Sequence, residues 1–424
     1  MKPSLNIATD AQQREHVVVA AQQRGVVATS GTERGSMNRF TLAAAAGTAL
    51  LVAGLCSAPA ATAAPLTRAS LHAARVCSSA PVGYAHCDAQ AMVNSSGTTV
   101  ASTAPKGLTP ANIRSAYALS ATAGSGKTVA IVAAYNDPTA EADLAVYRKT
   151  FGLPACTKAN GCFRKVNQSG GSTMPPVDAG WATEISLDLD MVSATCPACK
   201  ILLVQATTSS FSNLAIAVNY AATQKVAAIS NSYGGADSKA TAAYDHPGIA
   251  ITASSGDNGY GVEAPASYRT VIAVGGTTLT KSTNARGWTE KAWAGSGSGC
   301  SKLNPKPSWQ TSATGCAGKA VTDVSAVADP QTGVAIYDST AFNGAKGWQV
   351  LGGTSASAPI IASVYAMAGR GTSYPASYTW AHASGLNDVT TGSNGTSTTA
   401  AWTKSRTGWD GPSGLGTPKG TSSF

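Results

Sequence analysis

The sequence predicts an α/β fold: a doubly wound, mostly parallel sheet with helices on both faces. Three observations carry this. Short β-branched apolar runs alternate with amphipathic stretches of helical length, the order that βα units produce. The 424 residues and 43% apolar composition suffice for a large buried core. No internal repeat is seen along the chain. The expected strands are 128–135, 201–204, 226–230, 249–253 and 271–274, with helices at 140–150, 179–193, 212–224 and 355–370. In such a fold, functional residues belong just past the carboxyl ends of strands.

The organisation expected along the chain has four parts. Residues 1–36 are polar and patternless and read as an unstructured extension, with Met37 as an alternative start. Residues 37–63 read as a signal peptide: a basic Met37-Asn38-Arg39, an apolar run from Leu42 to Leu55, and the small-residue cleavage site Ala61-Thr62-Ala63. The run is too short and Ala-rich to span a membrane, and Leu55 before Cys56 argues against a lipid anchor. Residues 64–107 are rich in Ser, Ala and Thr without periodicity, which predicts a short pro-segment or flexible arm. Order is expected from Leu108, in a domain spanning 108–424.

Loss of residues 1–63 removes Lys2, Arg14, Arg24, Arg34 and Arg39 with Asp10, Glu15 and Glu33, so the formal charge falls from +9 to +7. No Lys/Arg cluster with interleaved aromatics accompanies that charge, so nucleic acid is not an expected partner. Cys56 leaves with the signal, and the remaining eight cysteines suit an oxidising compartment. The sequence-local pairing is Cys77 with Cys87, Cys156 with Cys162, Cys196 with Cys199, and Cys300 with Cys316. Cys196-Pro197-Ala198-Cys199 is also compatible with a redox or zinc motif, but no second CxxC or nearby histidine supports that reading. Gly124-Ser125-Gly126-Lys127-Thr128 resembles the end of a phosphate-binding loop, yet the leading glycine is Ala121 and a strand follows.

Three segments carry chemistry. Gly352-Gly353-Thr354-Ser355-Ala356-Ser357-Ala358-Pro359 precedes an apolar helix. A serine there sits at the positive end of the helix dipole among free N–H groups, although a helix cap wants serine anyway. In the helix from Trp181 to Val192, Glu184 and Asp188 share an arc with Trp181, Ile185, Met191 and Val192, whereas Asp190 points away and reads as solvated. Two acids at i,i+4 beside apolar neighbours repel unless they share a proton or partners. Ser255-Gly256-Asp257-Asn258-Gly259 follows an apolar strand; the same residues are ordinary turn formers.

Together these segments resemble the sedolisin family of serine-carboxyl peptidases, relatives of subtilisin in which glutamate replaces the histidine base. The family's E-x-x-x-D helix matches Glu184 and Asp188, its S-G-D-x-G segment matches Ser255 to Gly259, and its G-T-S-x-S-x-P segment matches Gly353 to Pro359. The resemblance runs from about Leu108 to Pro418. It implies a subtilisin-like fold, Ser355 as nucleophile, Glu184 as base, Asp188 orienting Glu184, and Asp257 as oxyanion-stabilising acid. It further implies one structural calcium ion on the Asp388 and Asp410 carboxylates with carbonyls of Val389, Arg406 and Gly408; Arg406 stands where the family often has glycine. The expected protein is a secreted, monomeric, acid-active endopeptidase with a protein or peptide substrate and no membrane span. The alternatives are an inactive extracellular binding module of the same fold and a histidine-dependent subtilase. One departure stands out: only about forty residues separate the signal from the first motif, where many sedolisins carry a long folded pro-domain.

Overall fold

The computed structural model describes residues 71–424; the extension, the signal peptide and residues 64–70 lie outside it. Its strands are β1 (His72–Arg75), β2 (His86–Cys87), β3 (Gln90–Val93), β4 (Thr128–Ala134), β5 (Phe163–Asn167), β6 (Lys200–Ala206), β7 (Ala228–Asn231), β8 (Tyr233–Ala236), β9 (Ala250–Ser254), β10 (Glu263–Ala264), β11 (Ile272–Lys281), β12 (Trp288–Ala292), β13 (Gly299–Pro305), β14 (Gly318–Val321), β15 (Val324–Val327), β16 (Val334–Phe342) and β17 (Ala345–Gly352). The α-helices are α1 (Pro110–Ala116), α2 (Ala140–Thr150), α3 (Ala179–Thr195), α4 (Phe211–Thr223), α5 (Thr354–Ala368) and α6 (Pro375–Ala381).

The main sheet runs β12-β11-β9-β7-β4-β6-β5, with β15 also beside β11. All its pairings are parallel except β11 with β12. Its central strands are apolar along their whole length because helices cover them: Val129, Ala130, Ile131 and Val132 of β4 are all inaccessible to solvent. Helices α3 and α5 pack on one another, and both touch β4. This brings the acidic helix against the serine-bearing one.

The sequence reading named only five strands and four helices, and β5, β8, β10, β12 to β17, α1 and α6 are additional to it; the structure departs from that reading in two further places. Order begins well before Leu108. Strand β3 pairs with β1 and with the end of β17, and β2 pairs with β8, so residues 71–107 are built into the domain instead of forming a loose arm. These strands are two to four residues long, and β2 and β3 draw on partners far along the chain, which leaves no local periodicity to read. Helix α3 is likewise not amphipathic: every residue from Gly180 to Thr195 is buried, Asp190 included. Asp190 accepts a hydrogen bond from the Tyr337 N–H at 2.9 Å, so its solvated reading is corrected. Element ends otherwise differ by a few residues, most at β11, which continues to Lys281.

All four cysteine pairs form the disulfides expected. The Gly124 to Thr128 segment is a turn leading into β4, with Gly124 pressed on the Cys196–Cys199 disulfide. Among the described residues, no helix is long and apolar enough to cross a membrane.

Candidate active site

Helix α5 starts at a glycine for a geometric reason. Gly353 caps it at φ +96, a region that side chains disfavour, and a Cβ there would stand 2.1 Å from the Asp88 carbonyl oxygen. Ser355 follows within the first turn, where helical N–H groups have no intrahelical acceptor. Its N–H donates to the Asp88 carbonyl at 3.0 Å. Its hydroxyl donates to Glu184 Oε2 at 2.8 Å and lies 3.2 Å from the Ser232 carbonyl.

The cap of α3 is Asp178, whose carboxylate accepts from the Trp181 N–H at 3.0 Å. One turn further in, Glu184 faces Ser355; one turn beyond that, Asp188 accepts from the Ser232 hydroxyl at 2.5 Å. Ser232 was missed by sequence reasoning, since Ser-Asn-Ser in a serine-rich chain carries no motif. The same hydroxyl lies 3.3 Å from the Ser355 carbonyl, which would face position 359 in a regular helix; Pro359 has no N–H to offer it. Ser232 thus sits between the acidic pair and the serine helix.

Burial, with the Asp188 charge next, pushes the Glu184 carboxyl well above its ordinary range. Burial does the same to Asp188, opposed by the Ser232 hydrogen bond. Glu184 Oε1 and Asp188 Oδ2 are both buried without a hydrogen-bond partner. A proton held by the pair would supply the missing donor.

Asp257 follows β9 and approaches the start of α5. Its Oδ1 accepts from the Thr354 N–H at 2.7 Å and the Thr354 hydroxyl at 2.9 Å. Its Oδ2 is buried without a partner and lies 2.6 Å from the point where a Gly353 Cβ would stand. That point is beside the Asp88 carbonyl oxygen, so Oδ2 and the Ser355 N–H flank one position. Burial and the nearby Asp88 charge push the Asp257 carboxyl well up, toward the neutral form that can donate.

The four residues Glu184, Asp188, Asp257 and Ser355 therefore meet at one place. Among the described residues, no histidine accepts from the Ser355 hydroxyl: His72 is exposed at the start of β1, His86 faces Asp88 and Glu263, His246 faces Asn219, and His382 stacks on Tyr378. A subtilase family model matches residues 179–409, from the start of α3 past the serine helix.

The chain belongs to the subtilase family. By sequence, this subtilase is 30% identical to kumamolisin from Bacillus sp. (strain MN-32) over 366 residues, which cover 75% of the chain and 63% of kumamolisin. It is 34% identical to sedolisin from Pseudomonas sp. (strain 101) over 177 residues, or 37% of the chain and 29% of sedolisin. The chain thus spans less than two thirds of the length of these curated relatives. A solved structure of Pseudomonas sedolisin, a serine-carboxyl proteinase complexed with two molecules of pseudo-iodotyrostatin, matches with a TM-score of 0.63 at 27% identity, over 74% of this chain and 96% of that one. The S41 psychrophilic protease shares the fold at 17% identity and a TM-score of 0.50.

The carboxyl-terminal loops bring Asp388, Val389, Arg406, Gly408 and Asp410 of this subtilase together. Asp388 accepts from the Gly408 N–H at 2.9 Å, and Asp410 from the Arg406 N–H at 3.0 Å. The Ser413 hydroxyl lies 2.7 Å from Asp410 Oδ1 and 3.3 Å from the Val389 carbonyl. Burial first, then the Asp388 charge among lesser causes, pushes Asp410 up to about 7. The Arg406 guanidinium does not neutralise the pair; it donates to the carbonyls of Trp409 and Ala313.

Proposed function

We propose that this subtilase is a secreted, acid-active serine-carboxyl endopeptidase. The observation that carries the reading is the buried 2.8 Å hydrogen bond from the Ser355 hydroxyl to Glu184, which puts a nucleophile in contact with a base. Ser355 Oγ attacks a peptide carbonyl as Glu184 takes its proton, then Glu184 delivers that proton to the leaving amine. Water then hydrolyses the acyl-enzyme with Glu184 again as base. Asp188 keeps Glu184 poised through a shared proton, and Ser232 fixes Asp188. The oxyanion is held by the Ser355 N–H and by neutral Asp257 through Oδ2. Four disulfides support an extracellular site of action.

A calcium ion fits the loops of Asp388 and Asp410. Oxygen donors are what calcium takes, and a buried carboxylate beside a second one lacks any cationic side chain to offset it. The two carboxylates with carbonyls of Val389, Arg406 and Gly408 would hold the ion, which fixes the loops and takes no part in bond cleavage.

The test is mass spectrometry of products from a peptide library at acid pH, comparing the wild type with Ser355→Ala and Glu184→Gln. Internal cleavage by the wild type alone is expected. Equal cleavage by Ser355→Ala would remove the assignment.

A further inference from the structure

A catalytic serine must be reached by substrate, yet Ser355 is fully buried. The cover is the chain itself. Residues 86–90 cross the site in extended form, held on both sides as a strand is held. Upstream, His86 and Cys87 pair antiparallel with Gly234 and Tyr233 of β8, and the Asp88 N–H points to the Ser232 carbonyl at 3.4 Å. Downstream, Gln90 and Ala91 pair antiparallel with Gly352 and Leu351 of β17, immediately before the serine helix. Between these two ladders the Asp88 carbonyl oxygen accepts from the Ser355 N–H at 3.0 Å. A Gly353 Cβ would meet both this oxygen, at 2.1 Å, and Asp257 Oδ2, at 2.6 Å. The Asp88 side chain is buried, accepting from the Ser254 hydroxyl at 2.5 Å and lying 3.4 Å from His86 Nε2.

A carbonyl whose oxygen occupies the oxyanion position, next to the nucleophile and with paired backbone on either side, is in the pose of a scissile bond. We propose that residues 77–93 form a built-in substrate-like plug, and that Ser355 cuts the Asp88–Ala89 bond to open the site. The inference rests on the peptidase reading above. Ser355 Oγ bonds to the Asp88 carbonyl carbon as its proton passes to Glu184; the C–N bond breaks and the Ala89 nitrogen takes that proton. Water then releases Asp88 as a free carboxylate, leaving Ala89 as a new amino terminus. The Cys77–Cys87 disulfide closes within the upstream piece and does not span the cut bond, so that piece is free to leave once β1 and β2 release their partners. Its departure opens the β8 edge to an external peptide. The plug also supplies this chain, by itself, with an inhibitory segment.

The experiment follows the purified full chain after acidification, by intact mass and amino-terminal sequencing, beside hydrolysis of an internally quenched peptide. The wild type should yield a new terminus at Ala89 with a rate constant independent of protein concentration, and its peptide hydrolysis should rise in step. Ser355→Ala should stay uncut at that bond. Ala89→Pro, which blocks the bond without touching Ser355, should stay uncut and hydrolyse the peptide about tenfold or more slower, because only molecules with the plug displaced are competent. Should Ala89→Pro fail to fold, the wild type and Ser355→Ala decide alone. Full-rate peptide hydrolysis by wild type with Asp88–Ala89 intact would overturn the plug and leave the peptidase reading standing. Cutting of Ser355→Ala at that bond would also overturn it. A wild type that cuts neither itself nor the peptide would overturn both.

Discussion

Replacing Asp257 by asparagine separates a catalytic acid from a turn residue, because the structure gives its two oxygens different work. Oδ1 accepts twice from Thr354, at 2.7 and 2.9 Å, whereas Oδ2 is buried with no partner beside the oxyanion position. In Asp257→Asn the amide oxygen keeps both Thr354 bonds and the NH₂ group takes the place of Oδ2, a donor at every pH. The wild-type carboxyl donates only while neutral. Its upward shift extends that range toward neutral pH, and activity is lost as pH rises through the shifted value. Losing an oxyanion donor costs about 10²–10³ in rate, or about 2.7–4 kcal/mol, which is the loss expected for Asp257→Ala at the acid optimum. Asp257→Ala also strands the Thr354 N–H, at about 1–3 kcal/mol of stability. Asp257→Asn should lose less than Asp257→Ala, and the alkaline fall of its kcat/KM should move up or vanish. The assay is kcat/KM for an internally quenched peptide across pH 3–8, on plug-free enzyme. The acid limb should stay where the Glu184–Asp188 pair, titrating as a unit, becomes fully protonated. An alkaline limb unchanged in Asp257→Asn would refute the oxyanion role.

Exhaustive chelation should lower the melting temperature and calcium restore it, since an ion bound only by the folded state stabilises by mass action; an unchanged temperature with no calcium by metal analysis would dismiss the site. Burial raises Asp137 to about 6, Asp338 to about 7 and Glu263 to about 8. Raised carboxyls favour the folded state fully below the ordinary carboxyl range, near pH 4, and that stability is lost as pH rises through 6–8. Thermal melts of Ser355→Ala from pH 4 to 8 should therefore show a falling midpoint, and a rising one would contradict the assignment. Asp190→Ala should cost about 1–3 kcal/mol in a urea titration by stranding the Tyr337 N–H, and a change under about 0.5 kcal/mol, the size of an ordinary surface substitution, would mean that water replaces the bond.

Legibility in the sequence followed how local each signal was. The βα alternation is built of short runs, the four disulfides join cysteines 3 to 16 residues apart and the three motifs are short, so their physics can be read locally. The acids of α3 were noticed because two carboxylates at helical spacing need an explanation. Asp190 was misjudged by the same wheel, since α1, α2, α5 and β16 surround the helix on all sides and leave no solvated arc. Ser232 and Asp88 could not be read from their neighbours. Ser232 matters through Asp188, 44 residues earlier, and Asp88 through Ser254, 166 residues later. The strands of residues 71–93 were invisible because β2 and β3 find their partners in β8 and β17, and β1 is paired only to β3. A serine-rich stretch with short apolar pieces has no period of its own.

The central claim is that Ser355 is acylated with Glu184 as its base, and the direct measurement is the site of acylation. Plug-free enzyme would be mixed with a peptide ester, quenched in acid within milliseconds to seconds, digested, and the acyl group located by fragment mass spectrometry. The account predicts an acyl adduct on Ser355 in the wild type, greatly diminished in Glu184→Gln. An adduct on another residue, or ester consumption by Ser355→Ala at the wild-type rate, would contradict it.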